Sequence, residues 1–341
     1  MEDSKSREVV DQAERKGCQK TYCVTGATGY VGSWLVKTLL ESGSIVHATV
    51  RDPVKCLHLL SMWTGSDRLR LFRADLNEEG SFNEAVKGCD GVFHVATPME
   101  FGAAVEENIV LTQVPLFYEF QESYVQSHII DPAINGTLNL LRACLESKSV
   151  KRVVFTSSIS TITAKDSNGE WRPVVDESCQ TPIDHVWKTR ANGWVYALSK
   201  LLTEEAAFRF AIDNGIDLVS VITSTVAGPF LTSNVPSSIQ VLLSLLTGDP
   251  ELFGILSAVN ARMGSIALVH IEDICRAHLF LMEHDKAEGR FLGEDLNQAP
   301  SEISSKKLRD LGFEYKHGVQ NIIHQTVIGC QGYGFLPPIG S

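Results

Sequence analysis

The sequence predicts an α/β fold built on a doubly wound parallel sheet. Two observations carry this prediction: strand-like and helix-like segments alternate along the chain, and a glycine-rich turn joins the first strand to the first helix. In a chain of 341 residues, this arrangement favours one two-lobed body over two independent domains. The predicted strands lie at 22–24, 45–50, 69–72, 91–95, 153–156, 218–223 and 266–270.

The glycine-rich turn has the spacing of a phosphate cradle. Gly26, Gly29 and Gly32 follow the strand at 22–24, and apolar residues then recur at helical spacing over 30–40. Glycine lets the backbone turn sharply and approach a pyrophosphate, which the amino end of the helix then faces. With the second strand, these elements form a βαβ unit typical of Rossmann-type dinucleotide sites. A glycine turn in some other α/β protein is the alternative.

The residue after the second strand favours NADPH over NADH. Arg51 supplies a planar, permanently charged group for a 2′-phosphate, whereas NAD sites place an acidic residue at this position. Asp52 keeps the NADH alternative open, because its carboxylate can bind the ribose while Arg51 points to solvent.

Composition and charge indicate a cytoplasmic enzyme with a small-molecule substrate. A formal net charge of -11 argues against nucleic acid or an anionic membrane surface as the main partner. No apolar run is long enough to span a bilayer, and the first twenty residues carry no targeting pattern. The eight cysteines have neither metal-site nor disulfide spacing, so we expect no metal. Monomer and homodimer remain open.

The chain divides into two interleaved lobes and a flexible N-terminal segment. The cofactor lobe is expected to comprise 20–178, 194–227 and 264–284, the substrate lobe 179–193, 228–263 and 285–341, and the flexible segment 1–19.

A tyrosine and a lysine form the candidate proton donor. A helix is predicted over 194–214, and it places Tyr196 and Lys200 one turn apart on one face. We expect the ammonium to lower the pKa of the phenol, which then gives a proton to a carbonyl oxygen while hydride arrives at carbon. Lys200 is also expected to bind the nicotinamide ribose. A surface helix pair is the alternative, and the glycine cradle favours the catalytic interpretation.

A serine is expected to hold the substrate oxygen. Ser157, Ser158 and Ser160 follow the apolar strand residues 153–155, and a hydroxyl there stabilises a developing alkoxide. Spacing alone does not choose among the three, and a turn of hydroxyl residues at a strand end is the alternative.

Other candidate ligands follow the third and fourth strands. Asp75 and the residues 95–97 lie at predicted carboxyl ends of parallel strands, where ligands bind. Asp75 can accept from an adenine amine, or it can simply cap a helix.

Taken together, the motifs resemble those of the extended short-chain dehydrogenase/reductases. The segments that carry this resemblance are 25–32, 49–53, 73–76, 92–98, 152–158 and 196–200. More narrowly, the chain resembles the plant dihydroflavonol 4-reductase and anthocyanidin reductase group. That closer resemblance also uses 227–230, 235–238 and 269–275, and it runs from about Thr21 to Glu288 with one interruption.

The resemblance implies an NADPH-dependent reductase acting on a flavonoid or phenylpropanoid-like carbonyl. It implies Ser158 as the serine of a triad with Tyr196 and Lys200, and it implies Arg51, assisted by Lys55, as the ligand of the 2′-phosphate. The implied cofactor-binding set is Gly26, Thr28, Gly29, Tyr30, Val31, Gly32, Arg51, Lys55, Asp75, Leu76, Val95, Ala96, Thr97, Tyr196, Lys200, Thr223, Val226 and Ser238.

Two substitutions depart from the pattern of dihydroflavonol 4-reductases. Thr163 stands where they usually carry an asparagine for the substrate's hydroxylated ring, and Thr223 stands where a proline is usual. Both favour the anthocyanidin-reductase-like branch.

Two segments also differ from the family pattern. Residues 102–122 are longer and more apolar than the loop expected beside the nicotinamide, and after Phe291 a strand and a helix of the substrate lobe are expected to be largely absent. A shortened lobe leaves two alternatives to an active reductase: a cofactor-binding but inactive variant, and a nucleotide-sugar epimerase or dehydratase on the same fold.

Overall fold

The computed structural model describes residues 19–52, 67–97, 122–294 and 300–337, and also the backbone of 296–298. Lys55, nearly all of the N-terminal segment 1–19 and nearly all of the segment 102–122 lie outside the described residues.

A seven-stranded parallel sheet forms the centre of the molecule. Its strands are β1 Thr21–Thr25, β2 Ile45–Val50, β3 Leu69–Arg73, β4 Gly91–His94, β5 Arg152–Ser158, β7 Leu218–Thr223 and β10 Gly289–Leu292. They are arranged in the order β3-β2-β1-β4-β5-β7-β10, and every neighbouring pair is parallel. The order reverses between β1 and β4, and such a switch point opens a ligand crevice at the carboxyl ends of the strands.

The remaining strands form two small sheets. β8 (Thr225–Ala227) pairs with β9 (Leu268–His270), and β12 (Ser301–Ile303) pairs with β6 (Val174–Val175) and β11 (Leu296–Gln298). The strand predicted at 266–270 therefore exists but is not part of the main sheet.

The seventh strand of the main sheet is instead β10, which the sequence placed in the substrate lobe. β9 is only three residues long and pairs with β8, which continues the chain just after β7. The open edge of β7 is then filled by β10.

Helices cover the sheet and build the second lobe. They are α1 Tyr30–Glu41, α2 Asn83–Val86, α3 Asp131–Ser147, α4 Ile183–Thr189, α5 Trp194–Asn214, α6 Ser237–Thr247, α7 Pro250–Met263, α8 Ile271–Glu283, α9 Lys306–Asp310 and α10 Val319–Gly332. A π-helical turn, Gln126–Ile130, precedes α3, and a 3-10 turn, Ile159–Thr161, follows β5. The helix predicted over 194–214 is confirmed as α5, which ends at Gly215 with a positive φ of 68°.

Apolar side chains are buried on both faces of the sheet. Leu35 of α1 and Ile274 of α8 lie in one core cluster, whereas Leu140 of α3 and Ala207 of α5 lie in another. A parallel sheet covered on both faces is the doubly wound arrangement, so the predicted fold class is confirmed.

The chain after Phe291 does form strands. β10 is followed by the β11–β12 hairpin, so strands are present here, and the loss of a strand and helix relative to the family stays a prediction. In the described part of the stretch from Phe291 to Lys306, no helix intervenes.

Within the described ranges, no single helix has the length and apolar composition to cross a membrane. α6 and α7 satisfy that test only as a pair, and they are bent by 105° relative to each other.

Candidate active site

The glycine cradle lies between β1 and α1 and leaves no room for side chains. Gly26 has a positive φ of 65°, and a Cβ there would lie 2.9 Å from the Cα of Ala96. A Cβ on Gly32 would lie 2.1 Å from the carbonyl oxygen of Gly26. Gly29 is the N-cap of α1, and its N–H donates to the Gly26 oxygen at 2.9 Å. The turn therefore exposes backbone at a helix N-terminus, which suits a pyrophosphate.

Thr25, the last residue of β1, fastens the cradle to the loop after β4. Its Oγ1 accepts from the backbone N–H groups of Val95 at 3.1 Å and Ala96 at 3.0 Å. With its oxygen occupied as an acceptor, the hydroxyl donates its own proton to Nδ1 of His94, 2.9 Å away.

His94 completes this network as a neutral buried imidazole. Its Nε2–H donates to Oγ1 of Thr137 on α3 at 2.9 Å. Burial, assisted by the charge of Lys200, lowers the pKa of His94 to about 3. One hydrogen-bonded chain thus joins β1, β4 and α3 at the edge where the cofactor is expected.

Replacing Thr25 by valine is expected to weaken both the fold and dinucleotide binding. Valine has nearly the same shape, but it leaves two backbone N–H groups and His94 Nδ1 without this partner. We expect a loss of about 1–3 kcal/mol in the free energy of unfolding, together with a raised Kd for NADPH by calorimetry. Thr38→Val is the control, because among the described residues the Thr38 hydroxyl bonds only the carbonyl of Trp34 within α1. If Thr25→Val and Thr38→Val have the same free energy of unfolding and the same Kd for NADPH, the proposed role of Thr25 is contradicted.

Tyr196 and Ser158 meet at the carboxyl end of β5. Their side chains are hydrogen-bonded, and the Oγ of Ser158 also accepts from the N–H of Ser160 at 3.2 Å. β5 extends to Ser158 rather than ending at 156, which brings this serine to the carboxyl edge of the strand.

The other two candidate serines lack such a contact. The hydroxyls of Ser157 and Ser160 are buried and have no hydrogen-bond partner within the described chain. Among the three serines that spacing left open, the structure brings Ser158 to the phenol.

Lys200 lies one turn beyond Tyr196 on α5 and is buried. Its Nζ donates to the Oγ1 of Thr97 at 2.8 Å and to the carbonyl oxygen of Thr156 at 3.0 Å. Burial lowers the pKa of Lys200 to about 8, and the carboxylate of Glu204 opposes that shift.

The expected acidification of Tyr196 by Lys200 is wrong for this structure. The pKa of Tyr196 is raised, because burial outweighs the hydrogen bond from Ser158. The ammonium is directed instead at Thr97 and Thr156. The phenol is therefore held in its protonated form, which is the form that a proton donor needs.

The remaining predicted cofactor residues lie around this centre, and their roles stay predictions. Arg51 is exposed directly after β2, and Asp75 uses its Oδ1 to accept from the N–H of Asn77 at 2.9 Å. Leu76 is buried against Gly136. Thr28 and Val31 are partly buried in and after the glycine turn, and Val95 and Thr97 are partly buried after β4.

Three further predicted residues donate to backbone carbonyls around the crevice, and a fourth, Val226, accepts one of these bonds. Tyr30 donates to the carbonyl of Gly228 at 3.2 Å, and Thr223 donates to that of Ser157 at 3.0 Å. Ser238 donates to the carbonyl of Val226 at 2.8 Å.

His278 is, like His94, a buried histidine near the site that the sequence did not indicate. The Nδ1–H of His278 donates to the Ile274 carbonyl at 2.7 Å, and its Nε2 accepts from the hydroxyl of Thr156 at 2.9 Å. Burial lowers its pKa to about 4. The same Thr156 offers its carbonyl to Lys200. Neither His94 nor His278 has a sequence signal beyond a polar residue in an apolar stretch.

A glycine cradle at the switch point, with a serine at the end of β5 and a tyrosine and a lysine on helix α5 beside it, defines a class of protein. The protein is an oxidoreductase of the extended short-chain dehydrogenase/reductase class with a nicotinamide dinucleotide site.

Comparison with known sequences identifies the family. The chain belongs to the NAD dependent epimerase/dehydratase family, whose sequence profile matches residues 121–297, and an NAD(P)H-binding profile matches 26–201. A protein of Ginkgo biloba assigned as an anthocyanidin reductase is 42% identical, with 94% of this chain and 97% of that protein covered. Dihydroflavonol 4-reductase of Arabidopsis thaliana is 37% identical, with 94% and 84% covered.

Solved structures share the fold. Vestitone reductase from alfalfa superposes with a TM-score of 0.72 at 29% identity, covering 93% of this chain and all of that one. The yeast methylglyoxal/isovaleraldehyde reductase Gre2, complexed with NADPH, gives a TM-score of 0.67 at 20% identity, with 93% of this chain and 100% of that one covered.

The alignment with the Ginkgo relative extends over 351 positions, more than the 341 residues of this chain, so the relative has residues that this chain lacks.

Proposed function

We propose that the protein is an NADPH-dependent reductase that transfers hydride to a carbonyl or related unsaturated centre of a flavonoid-type substrate. The observation that carries this proposal is the protonated phenol of Tyr196, bonded to Ser158 at the carboxyl edge of the sheet and followed one turn later by Lys200. The reductase names of the relatives and of the alfalfa structure support the reaction and the substrate class.

The side chains divide the work at the substrate oxygen. Ser158 and Tyr196 are adjacent and hydrogen-bonded, so their hydroxyls can both turn to one bound substrate oxygen, where two donors would stabilise a developing alkoxide. Tyr196 then gives its proton to that oxygen as a general acid. Lys200 holds the loop after β4 through Thr97. When bound, NADPH supplies the hydride.

Within the family, Thr163 supports the anthocyanidin-reductase-like branch. It is buried, and its Oγ1 accepts from the N–H of Lys165 at 3.2 Å, so the hydroxyl takes part in a local turn. It also lacks the second polar atom of an amide, which an asparagine would offer to a hydroxylated ring.

The residues at the cradle fit a dinucleotide, and Arg51 selects the phosphorylated one. Arg51→Ala is expected to raise the Kd for NADPH about 10- to 100-fold, the effect of one charge-assisted hydrogen-bonded contact, with little change for NADH. Fluorescence titration of both dinucleotides measures this difference. Arg209→Ala, on the exposed side of α5, is the control. An equal loss for NADPH and NADH would contradict NADPH selection by Arg51.

Activity is expected to fall on the alkaline side with an apparent pKa of about 8. Because the pKa of Lys200 is lowered to about 8 from its usual value, its ammonium is present below that pH and is lost as pH rises through it. The profile of kcat/KM for NADPH reports groups of the free enzyme, so it detects this loss. A profile flat to pH 10 would contradict the requirement for the ammonium.

A substrate panel tests the proposed function. The purified protein is incubated with NADPH and flavonoid or phenylpropanoid carbonyls, and NADPH consumption is compared with product formed. One NADPH consumed per product supports the reductase. Product without net consumption indicates an epimerase, because that chemistry regenerates its cofactor. NADPH binding without turnover across the panel indicates the inactive variant.

A further inference from the structure

Arg290 on β10 connects the two elements that hold the catalytic side chains. Its guanidinium donates to the Oγ1 of Thr161 at 2.7 Å and forms an ion pair with the Oε2 of Glu204 at 3.1 Å. A third bond joins it to the carbonyl of Glu177 at 2.8 Å. The Arg290 and Glu204 side chains are only 18% and 5% exposed, so water screens their interaction weakly.

On one side, the guanidinium supports the turn that carries Ser158. Thr161 is the last residue of the 3-10 turn after β5, and its hydroxyl donates to the carbonyl of Ser158 at 2.9 Å. Arg290 therefore reaches the backbone of Ser158 through a single intervening side chain.

On the other side, the ion pair holds helix α5. Tyr196, Lys200 and Glu204 follow one another at intervals of four residues, so they lie along one face of that helix. The second carboxylate oxygen of Glu204 accepts from the hydroxyl of Ser220 on β7. Glu204 is thus fixed between two strands of the sheet.

We propose that Arg290 and Glu204 are positioning residues of the reductase site, where Arg290 sets the spacing between Ser158 and Tyr196 and Glu204 keeps Lys200 an ammonium. This inference rests on the proposed function for its meaning in catalysis. Its electrostatic part rests on the ion pair and on the four-residue spacing of Lys200 and Glu204 along α5, and it needs no turnover.

The two partners of the ion pair are expected to act on the pKa of Lys200 in opposite directions. The Glu204 carboxylate raises the pKa of Lys200 against the effect of burial. Arg290 partly neutralises that carboxylate. A cavity of about 380 Å³ adjoins the pair, so a shorter side chain at 290 admits water beside the Glu204 carboxylate.

Titration of Lys200 by NMR tests this arrangement without any need for turnover. Lysines labelled with ¹³C at Cε are titrated in the full-length protein, and the Lys200 signal is assigned by its disappearance in Lys200→Arg. Glu204→Gln is expected to lower the midpoint by about one pH unit, and Arg290→Gln is expected to raise it. Glu205→Gln and Arg209→Gln are matched controls from an exposed ion pair on the same helix, with no shift expected.

If Glu204→Gln and Arg290→Gln shift the titration midpoint of Lys200 in opposite directions, the inference is supported. No shift, or shifts in the same direction, overturn it. If Arg290→Gln does not fold, Glu204→Gln decides alone, because the amide is isosteric and keeps an acceptor for Ser220. In the reductase assay, Arg290→Gln is further expected to lower kcat about tenfold with KM for NADPH unchanged, through misplacement of Ser158. If the wild type is active and a variant without the Tyr196 hydroxyl is equally active, the proposed function is refuted. The titration of Lys200 would still test the role of the ion pair.

Discussion

Replacing Tyr196 by phenylalanine is expected to lower kcat by about 10²- to 10⁴-fold, the usual contribution of a general acid. The phenol is the proposed proton donor, and it is bonded to Ser158. Phenylalanine keeps the ring and its packing on α5 but removes the hydroxyl. The Kd for NADPH is expected to stay within about twofold, because no cradle contact is changed. Steady-state kinetics and calorimetry measure the two quantities.

A second tyrosine provides the control for this substitution. Tyr333 is exposed near the end of α10, where its ring packs on Phe230. Tyr333→Phe should leave kcat unchanged. If Tyr196→Phe retains wild-type turnover, the proton donor lies elsewhere and the proposed chemistry fails.

Replacing Gly32 by alanine is expected to disrupt the dinucleotide cradle. The added methyl group would lie 2.1 Å from the carbonyl oxygen of Gly26, so either α1 or the turn must move. Overpacking of this kind costs about 1–3 kcal/mol of stability. The displaced turn should raise the Kd for NADPH at least about tenfold, since the helix N-terminus no longer faces the pyrophosphate. Denaturant unfolding and fluorescence titration provide the measurements.

Two other glycines provide comparison variants in which a smaller loss of stability and affinity is expected. Gly29→Ala should cost less, because its Cβ would lie 3.3 Å from the same oxygen. Gly318→Ala should cost nothing measurable, because φ is −84° and no atom lies within 4 Å of the added carbon. Equal NADPH affinity in all three variants would contradict the close approach of the backbone at Gly32.

The sequence predicted the main elements because they depend on local signals. The helix predicted over 194–214 is confirmed with those bounds as α5, Trp194–Asn214. The glycine cradle followed from steric requirements that act within a few residues. The order of the sheet required knowledge of which strands pair, and this is not local. A three-residue strand such as β9 pairs with β8 instead, and the edge of the sheet goes to β10.

The sequence predicted which residues form the site but not the contacts that their side chains make. The residues Tyr196 and Lys200 followed from helical spacing. Spacing left three serines open and only the family resemblance implied Ser158, because the extension of β5 by two residues is not visible in the spacing. The electrostatic prediction for Tyr196 was wrong, because spacing along a helix does not show where the ammonium of Lys200 points. The role of Thr25 depends on two strands that meet only in the folded sheet.

The central claim is that this chain's Ser158, Tyr196 and Lys200 receive a carbonyl substrate to which hydride is transferred. The most direct measurement is a single turnover with NADPH deuterated at the transferable position of C4 and a flavonoid-type substrate, followed by mass spectrometry of the product. Within the time of one wild-type turnover, we predict one deuterium in the product and one NADP⁺ per carbonyl reduced for the wild type, and about 10²- to 10⁴-fold less of both for Tyr196→Phe. Product that forms without deuterium, or equal labelling by Tyr196→Phe within that time, would contradict this chemistry.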